Sequence, residues 1–183
     1  MSYDFNELKT MLEGAISELY RDNWFFFTHG VGEWTISSEF HHIMKMKYRN
    51  SFPWLDMDAE YNLMGTIDHG LAHKMVVDEA GNRLKIRPDF IIHKRGCPSK
   101  NILCVEIKRH GGPRLEYDCK KLEYLTRMSD MTGLACVRNY LFGVSVLMLK
   151  RRVECRWYER GEVVGTRHAS IDVKHNVPSL IWH

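Results

Sequence analysis

The chemistry most directly legible in this sequence lies in Asp89 of R-P-D-F-I-I-H and in Glu106 and Lys108 of N-I-L-C-V-E-I-K-R. Two carboxylates and an ammonium are the parts of a hard-cation site for phosphate chemistry. Carboxylate oxygens suit Mg2+ or Mn2+, which hold a phosphate and lower the pKa of bound water, while an ammonium offsets charge gathering in the transition state. Spacing argues that the three meet. Alternation along 102–108 sends Leu103, Val105 and Ile107 to one face and Cys104, Glu106 and Lys108 to the other. If 86–93 and 102–108 form an antiparallel hairpin turning between Cys97 and Pro98, inside the loop K-R-G-C-P-S-K-N, Asp89 lies directly opposite Glu106. Their side chains then stand about 5 Å apart at Cβ. Such a pair repels unless a cation sits between them, and the backbone carbonyl of Ile107 offers that cation a further ligand. The plainer alternative is a surface ion pair of Glu106 with Lys108, since E-x-K alone is a common string.

The elements that must hold these residues follow from pattern. Asp4 with Glu7 resembles a capping box, and Phe5, Leu8, Met11, Leu12, Ala15, Ile16 and Leu19 recur at helical spacing, so an amphipathic helix is predicted over 5–21. An apolar tail at 24–27 and a turn at 29–32 lead to a second helix over 33–49, which Pro53 stops. Residues 55–61 alternate as a half-buried strand. After a polar stretch come the two strands of the hairpin, a helix over 117–128, and strands over 140–149 and 153–158 joined by K-R-R. No repeat or linker divides the chain. The expectation is one α/β domain over 1–183 on a mixed sheet, with a helical extension at 1–31, a core at 33–149, and a strand and tail at 150–183.

Pro88-Asp89 and Glu106-Ile107-Lys108 resemble the bipartite motif of the PD-(D/E)xK nuclease superfamily, the restriction-endonuclease-like enzymes. Gly32-Glu33, Glu60-Tyr61-Asn62, Arg87-Pro88-Asp89 and the helix K-L-E-Y-L-T at 121–126 are similar to the motifs of an uncharacterised prokaryotic group within it. The resemblance implies a restriction-endonuclease-like α-β-β-β-α-β core, its mixed sheet flanked by helices, plus an extra N-terminal helix. It also implies a Mg2+- or Mn2+-dependent endonuclease acting on nucleic acid, DNA before RNA, with Asp89, Glu106 and Lys108 catalytic. In that superfamily a Glu of the first core helix often supplements the metal site. Glu33 fits that place better than Glu39, which lies deeper in the helix, though Glu33 could equally be a charge facing the helix dipole. Glu60 either joins Asp89, Glu106 and Ile107 around the metal or pairs with a basic residue. Arg87, Arg109, His110 and Lys121 are the expected nucleic-acid contacts; the resemblance also suggests that the helix opened by Asp118, Lys120 and Lys121 borders the site, although these could equally form an ordinary exposed helix face. The alternative is a non-catalytic nucleic-acid- or protein-binding module on the same fold, and the presence of all three motif residues favours the enzyme. Cleaving both strands of a duplex needs two sites or two visits, which a homodimer would supply.

Bulk properties narrow the setting. The net charge of +3, from 26 Lys and Arg against 23 Asp and Glu, does not by itself indicate a polyanion partner. Basic residues nevertheless cluster at Lys45-Lys47-Arg49, Lys94-Arg95-Lys100 and Lys150-Arg151-Arg152, which could follow phosphates or form solvated faces. Five cysteines with no C-x-x-C pair suggest reduced thiols in a cytoplasm. The N-terminus lacks the regions of a signal peptide, and the longest apolar run, 140–149, is too short for a bilayer, so no membrane partner is expected. His69 and His73 have the spacing of zinc ligands on a helix, weakened by Gly70. Trp34, Trp54, Trp157 and Trp182 could stack on bases, although packing is the commoner use of Trp.

Overall fold

The first helix follows its apolar spacing. In the computed structural model, which describes residues 3–60, 63–66, 70–73, 75–77, 83–85, 87–127, 140–175 and 177–183 (backbone alone within 63–85), α1 is Phe5–Asp22. The Asp4 carboxylate caps it by accepting from Asn6 N at 2.8 Å, the second helical N–H rather than the third that a capping box engages. The apolar tail forms a helix of its own, α2 (Trp24–Thr28), whose Phe27 ring stacks on Tyr20 with centroids 3.7 Å apart. Then α3 (Glu33–Tyr48) runs into a single 3-10 turn, Arg49–Ser51, before Pro53.

β1 (Asp56–Ala59) is shorter than the expected 55–61, and it does not alternate: Met57 and Asp58 are both buried. Asp58 tolerates burial because charged partners meet it, as described below. The polar stretch that follows is not featureless. It holds two hairpins, β2 (Leu63–Thr66) with β3 (Gly70–His73) and β4 (Met75–Val77) with β5 (Arg83–Lys85). His73 is therefore on a strand, and the helical spacing that would have joined it to His69 is not formed. His69, Tyr61 and Asn62 lie outside the described residues.

The rest of the chain is β6 (Phe90–His93), β7 (Asn101–Lys108), α4 (Pro113–Thr126), β8 (Phe142–Met148), β9 (Arg152–Glu159), β10 (Glu162–Lys174) and β11 (Val177–Trp182). The fourth helix begins four residues before the expected 117. Pro113 occupies its first turn, where a missing N–H costs nothing, and Gly112 at φ 105° turns the chain into it. The helix also ends at Thr126, two residues before the expected 128, because Arg127 is already extended. The largest departure is at the C-terminus, where the expected tail is a pair of long antiparallel strands, β10 and β11.

Seven strands form one mixed sheet in the order β1-β6-β7-β8-β9-β10-β11. β7 and β8 are parallel, joined across α4, and the other neighbours are antiparallel. Helices cover both faces. Leu103, Val105 and Ile107 pack into the cluster containing Leu12, Ile16 and Phe40 of α1 and α3, while Ile91 and Cys104 pack beneath Leu122 and Leu125 of α4. Two covered faces explain why β7 is buried along almost its whole length. α4 sits close because β8 offers Gly143: a Cβ there would stand 3.0 Å from Thr126 Cγ2 and 3.2 Å from Leu122 Cδ2. Among the described residues no helix is long and apolar enough to cross a membrane. Cys97, Cys104, Cys119 and Cys155 are free thiols.

Candidate functional site

The hairpin register sets the geometry. Phe90 pairs with Val105, Ile91 with Cys104 and Ile92 with Leu103, so one step further Asp89 stands opposite Glu106. The register slips only at the other end, between Ile92 and His93. Asp89 lies just before the strand, and its side chain extends the pairing: Ile107 N donates to Asp89 Oδ2 at 2.6 Å. The Asp89 carbonyl in turn accepts from Glu60 N at 3.3 Å, tying the end of β1 to the same corner.

A polar row crosses the sheet at this level. Glu106 pairs with Ser145 on β8, and Ser145 with Arg156 on β9, all on the face beneath α4. From above, α4 lowers Asp118 and Lys121, one helical turn apart. Lys121 Nζ lies 2.7 Å from Glu106 Oε1 and 2.9 Å from Asp118 Oδ1. Lys108 Nζ lies 3.1 Å from Asp118 Oδ2 and 3.3 Å from Glu33 Oε2, and it donates to the Ile107 carbonyl at 3.2 Å. Four carboxyls thus surround two ammoniums where β7 ends against α3 and α4.

Burial makes this arrangement electrostatically tense. Glu106 is 2% exposed. Desolvation pushes its carboxyl up from 4.5 to about 8, against the opposing pull of Lys121, with Asp89 and Asp118 adding repulsion. Asp89 is raised as well, first by burial, and the Ile107 N–H and Lys108 only partly offset this. Burial alone would lower both lysines. Asp118 and Asp89 outweigh it at Lys108, and Glu106 with Asp118 outweigh it at Lys121, so both stay above the usual range and fully charged.

The expected site residues divide into two groups. Asp89, Glu106, Lys108, Glu33 and the Ile107 carbonyl are brought together, and Glu33, rather than Glu39, is the helix residue that reaches Lys108. Lys121, expected at a nucleic-acid surface, is instead inside the charge cluster. Arg109, also expected at phosphates, turns its guanidinium inward to the Val31 carbonyl, fastening the α2–α3 turn to the end of β7. Of the two readings of Glu60, the structure has it 3.5 Å from Arg87, so this acid and this expected phosphate contact are partners. His110 is exposed just beyond β7. Asp118, which the sequence left between a helix bordering the site and an ordinary exposed face, joins the site, and so does Ser145, which was not a candidate. Asp118 had a readable signal: it shares a helix stripe with Leu122 and Leu125, and an acid on a buried stripe needs a partner. Ser145 had none.

A second charged cluster escaped the sequence reading. Asp58 Oδ2 lies 2.9 Å from His93 Nε2 and 2.8 Å from Arg95 Nε, and a second Arg95 nitrogen meets Asp58 Oδ1. Burial opposes ionisation of Asp58, but these partners outweigh it and hold the carboxyl well below its usual range.

A divalent cation is compatible with the donors at the first cluster. Among the described residues no three His, Cys, Asp or Glu side chains are gathered as a ready-made cage. Mg2+ does not require one: it commonly takes one or two carboxylates and completes its shell with water and substrate phosphate. Asp89, Glu106 and the Ile107 carbonyl supply hard oxygens, with Glu106 Oε1 already meeting the Lys121 ammonium at 2.7 Å. No protein-family model, no curated protein and no solved structure matches this chain.

Proposed function

We propose that the protein is a Mg2+- or Mn2+-dependent nuclease of the PD-(D/E)xK kind, hydrolysing phosphodiester bonds of nucleic acid, with DNA favoured. The observation that carries the proposal is the hairpin register: it sets Asp89 across from Glu106 with Lys108 on the same face, all beside α3 and α4. The element order supports it, since α3, β1, β6, β7, α4 and β8 run helix, three antiparallel strands, helix, parallel strand, the order of a restriction-endonuclease-like core. Asp89, Glu106 and the Ile107 carbonyl would hold the cation, which when bound supplies an acidified water and a clamp on the scissile phosphate. Lys108, kept charged by Asp118 and Glu33, would stand beside the phosphate and offset its gathering charge. Asp118 would position both lysines.

One observation favours a second reading. Each buried carboxyl of α4 and β7 already has an ammonium within 3.1 Å, a network that could fasten α4 to the sheet in a non-catalytic binding module. Cleavage separates the two. Purified protein is incubated with single- and double-stranded DNA and RNA in Mg2+ or Mn2+, beside Asp89→Asn and Lys108→Ala. The side-chain amide of Asp89→Asn can still accept from Ile107 N, so the fold survives while activity drops on the order of 10²-fold or more. Cleavage by neither metal, or by both variants as by the parent, refutes the nuclease reading.

A further inference from the structure

The strand pair β1–β6 has two ends. At one, Asp89 joins the proposed catalytic cluster and takes the Glu60 backbone N–H; at the other, Asp56 pairs with His93 and the chain enters the β6–β7 turn. A polar recess opens at this second end, lined by Lys45 of the last turn of α3, by Arg49 of the 3-10 turn that follows, by Asp56, and by Lys94 and Arg95 of the turn. The sequence clusters Lys45-Lys47-Arg49 and Lys94-Arg95 therefore converge, though not every member contributes. Lys47 is held away by Glu18 at 2.5 Å, and Arg95 is committed to Asp58. Lys45, Arg49 and Lys94 are exposed and make no ion pair among the described residues. The one acid in the lining, Asp56, accepts the Arg95 backbone N–H at 2.9 Å. Three cations outside any ion pair share the recess with a single carboxylate, Asp56, so positive charge is in excess there although the whole chain carries only +3.

The loop that walls the recess, between Pro53 and Leu55, also carries Trp54, whose surface is 48% exposed. A cationic recess beside an open indole is the pairing that binds unstacked nucleic acid, with phosphates on the charges and a base on the ring. From Asp89 to His93 the strand covers about 13 Å, the rise of about four stacked nucleotides.

We infer that this recess binds the phosphodiester backbone of a single-stranded nucleic-acid segment, with Trp54 stacking on one of its bases, and holds the strand a few nucleotides from Asp89. The inference rests on the nucleic-acid reading of the catalytic end but is tested without catalysis. Fluorescence anisotropy of a labelled single-stranded oligothymidylate is followed in EDTA across a salt series, for the full chain and for the triple variant Lys45→Ala, Arg49→Ala, Lys94→Ala. All three side chains are exposed, so unfolding should not confuse the result, and an unchanged melting curve verifies this. The triple variant should lose at least about tenfold in affinity, and its salt slope should fall by about 2, three phosphate contacts at about 0.7 each. Trp54→Ala should weaken single-strand binding by about tenfold and leave duplex binding unchanged. An unaltered slope and affinity in the triple variant overturns the inference, as does binding of phosphatidylserine vesicles in place of the oligonucleotide. Cleavage in Mn2+ is read separately. Loss of binding in the triple variant with no cleavage by the parent defeats the nuclease reading alone; cleavage with binding unaffected by the triple variant defeats the recess alone.

Discussion

Replacing Glu106 with Gln should make the protein more stable at neutral pH and at the same time abolish its proposed activity. In the folded chain the Glu106 carboxyl titrates near 8, against an ordinary 4.5, because it is wholly buried between β7 and α4 with Asp89 and Asp118 nearby. A carboxyl with a raised folded value favours the native state fully at low pH, where both states are protonated. Between 4.5 and 8 the unfolded chain has given up its proton and the folded chain has kept it, so stability falls by about 1.4 kcal/mol per pH unit. By pH 7 the loss from this one residue exceeds about 3 kcal/mol, a large share of the roughly 5–15 kcal/mol typical of a domain. The Glu106→Gln side chain keeps the size and an acceptor for Lys121 but carries no titration, so the variant's urea midpoint should fall less between pH 5 and pH 9 than the parent's. Other groups titrate in both proteins, and the difference isolates Glu106. Added Mn2+ at pH 8 should raise the parent's midpoint and not the variant's, since binding to the folded state alone stabilises it by mass action. Parallel pH profiles for parent and variant would refute the burial argument; equal Mn2+ stabilisation would refute Glu106 as a metal ligand.

Lys121→Met should leave Glu106 and Asp118 without their shared ammonium and cost about 3–5 kcal/mol, read as a lower urea midpoint at pH 8, with the deficit shrinking as acid protonates the carboxyls. Asp58→Asn should destabilise by about 2–3 kcal/mol by removing the charge that His93 and Arg95 share, and this stabilisation in the parent should be fully present above the ordinary Asp value of 3.8 and be lost as pH falls from there through the lower folded value. Gly143→Ala should cost about 1–3 kcal/mol, because the new methyl meets Thr126 and Leu122 and pushes α4 off the sheet; cleavage should fall with it if α4 positions Lys121 and Asp118.

What could be read from the sequence was what local rules determine. The apolar spacing of α1, the helix from Glu33, and the turn at Cys97–Pro98 that pairs Asp89 with Glu106 each depend on residues close together in the chain, where periodicity and turn chemistry act. The hairpins between β1 and β6 were not visible as strands, because runs of only three or four residues, such as L-M-G-T and M-V-V, are too short to show a period. β10 was missed for a related reason. Most of its side chains are exposed or half-buried and it contains Gly165 at a bulge, so only Ala169 is fully buried. β11 contains Pro178, which a strand tolerates because it lies at the sheet edge, a position known only once the sheet is assembled.

Lys121 is the most informative of these residues. As sequence, Asp118-Cys119-Lys120-Lys121 opens either a helix bordering the site or an ordinary exposed face, with Lys121 an expected nucleic-acid contact. The parallel connection from β7 to β8 requires α4 to cross the sheet, and Gly143 lets it lie close enough that the Lys121 ammonium reaches Glu106. If the proposed divalent cation binds, the same ammonium would have two states: fastening Glu106 without the metal, or displaced toward substrate when the metal takes the carboxylate. Asp89, Asp118 and Glu33 outnumber the two ammoniums even while Glu106 keeps its proton, so on that proposal neither lysine would be expelled and Lys121 would only move from one oxygen to another. Lys121→Ala with Mn2+ distinguishes these states, since a purely structural lysine predicts lost stability and weaker metal binding, whereas a competing ammonium predicts lost stability and tighter binding of the ion.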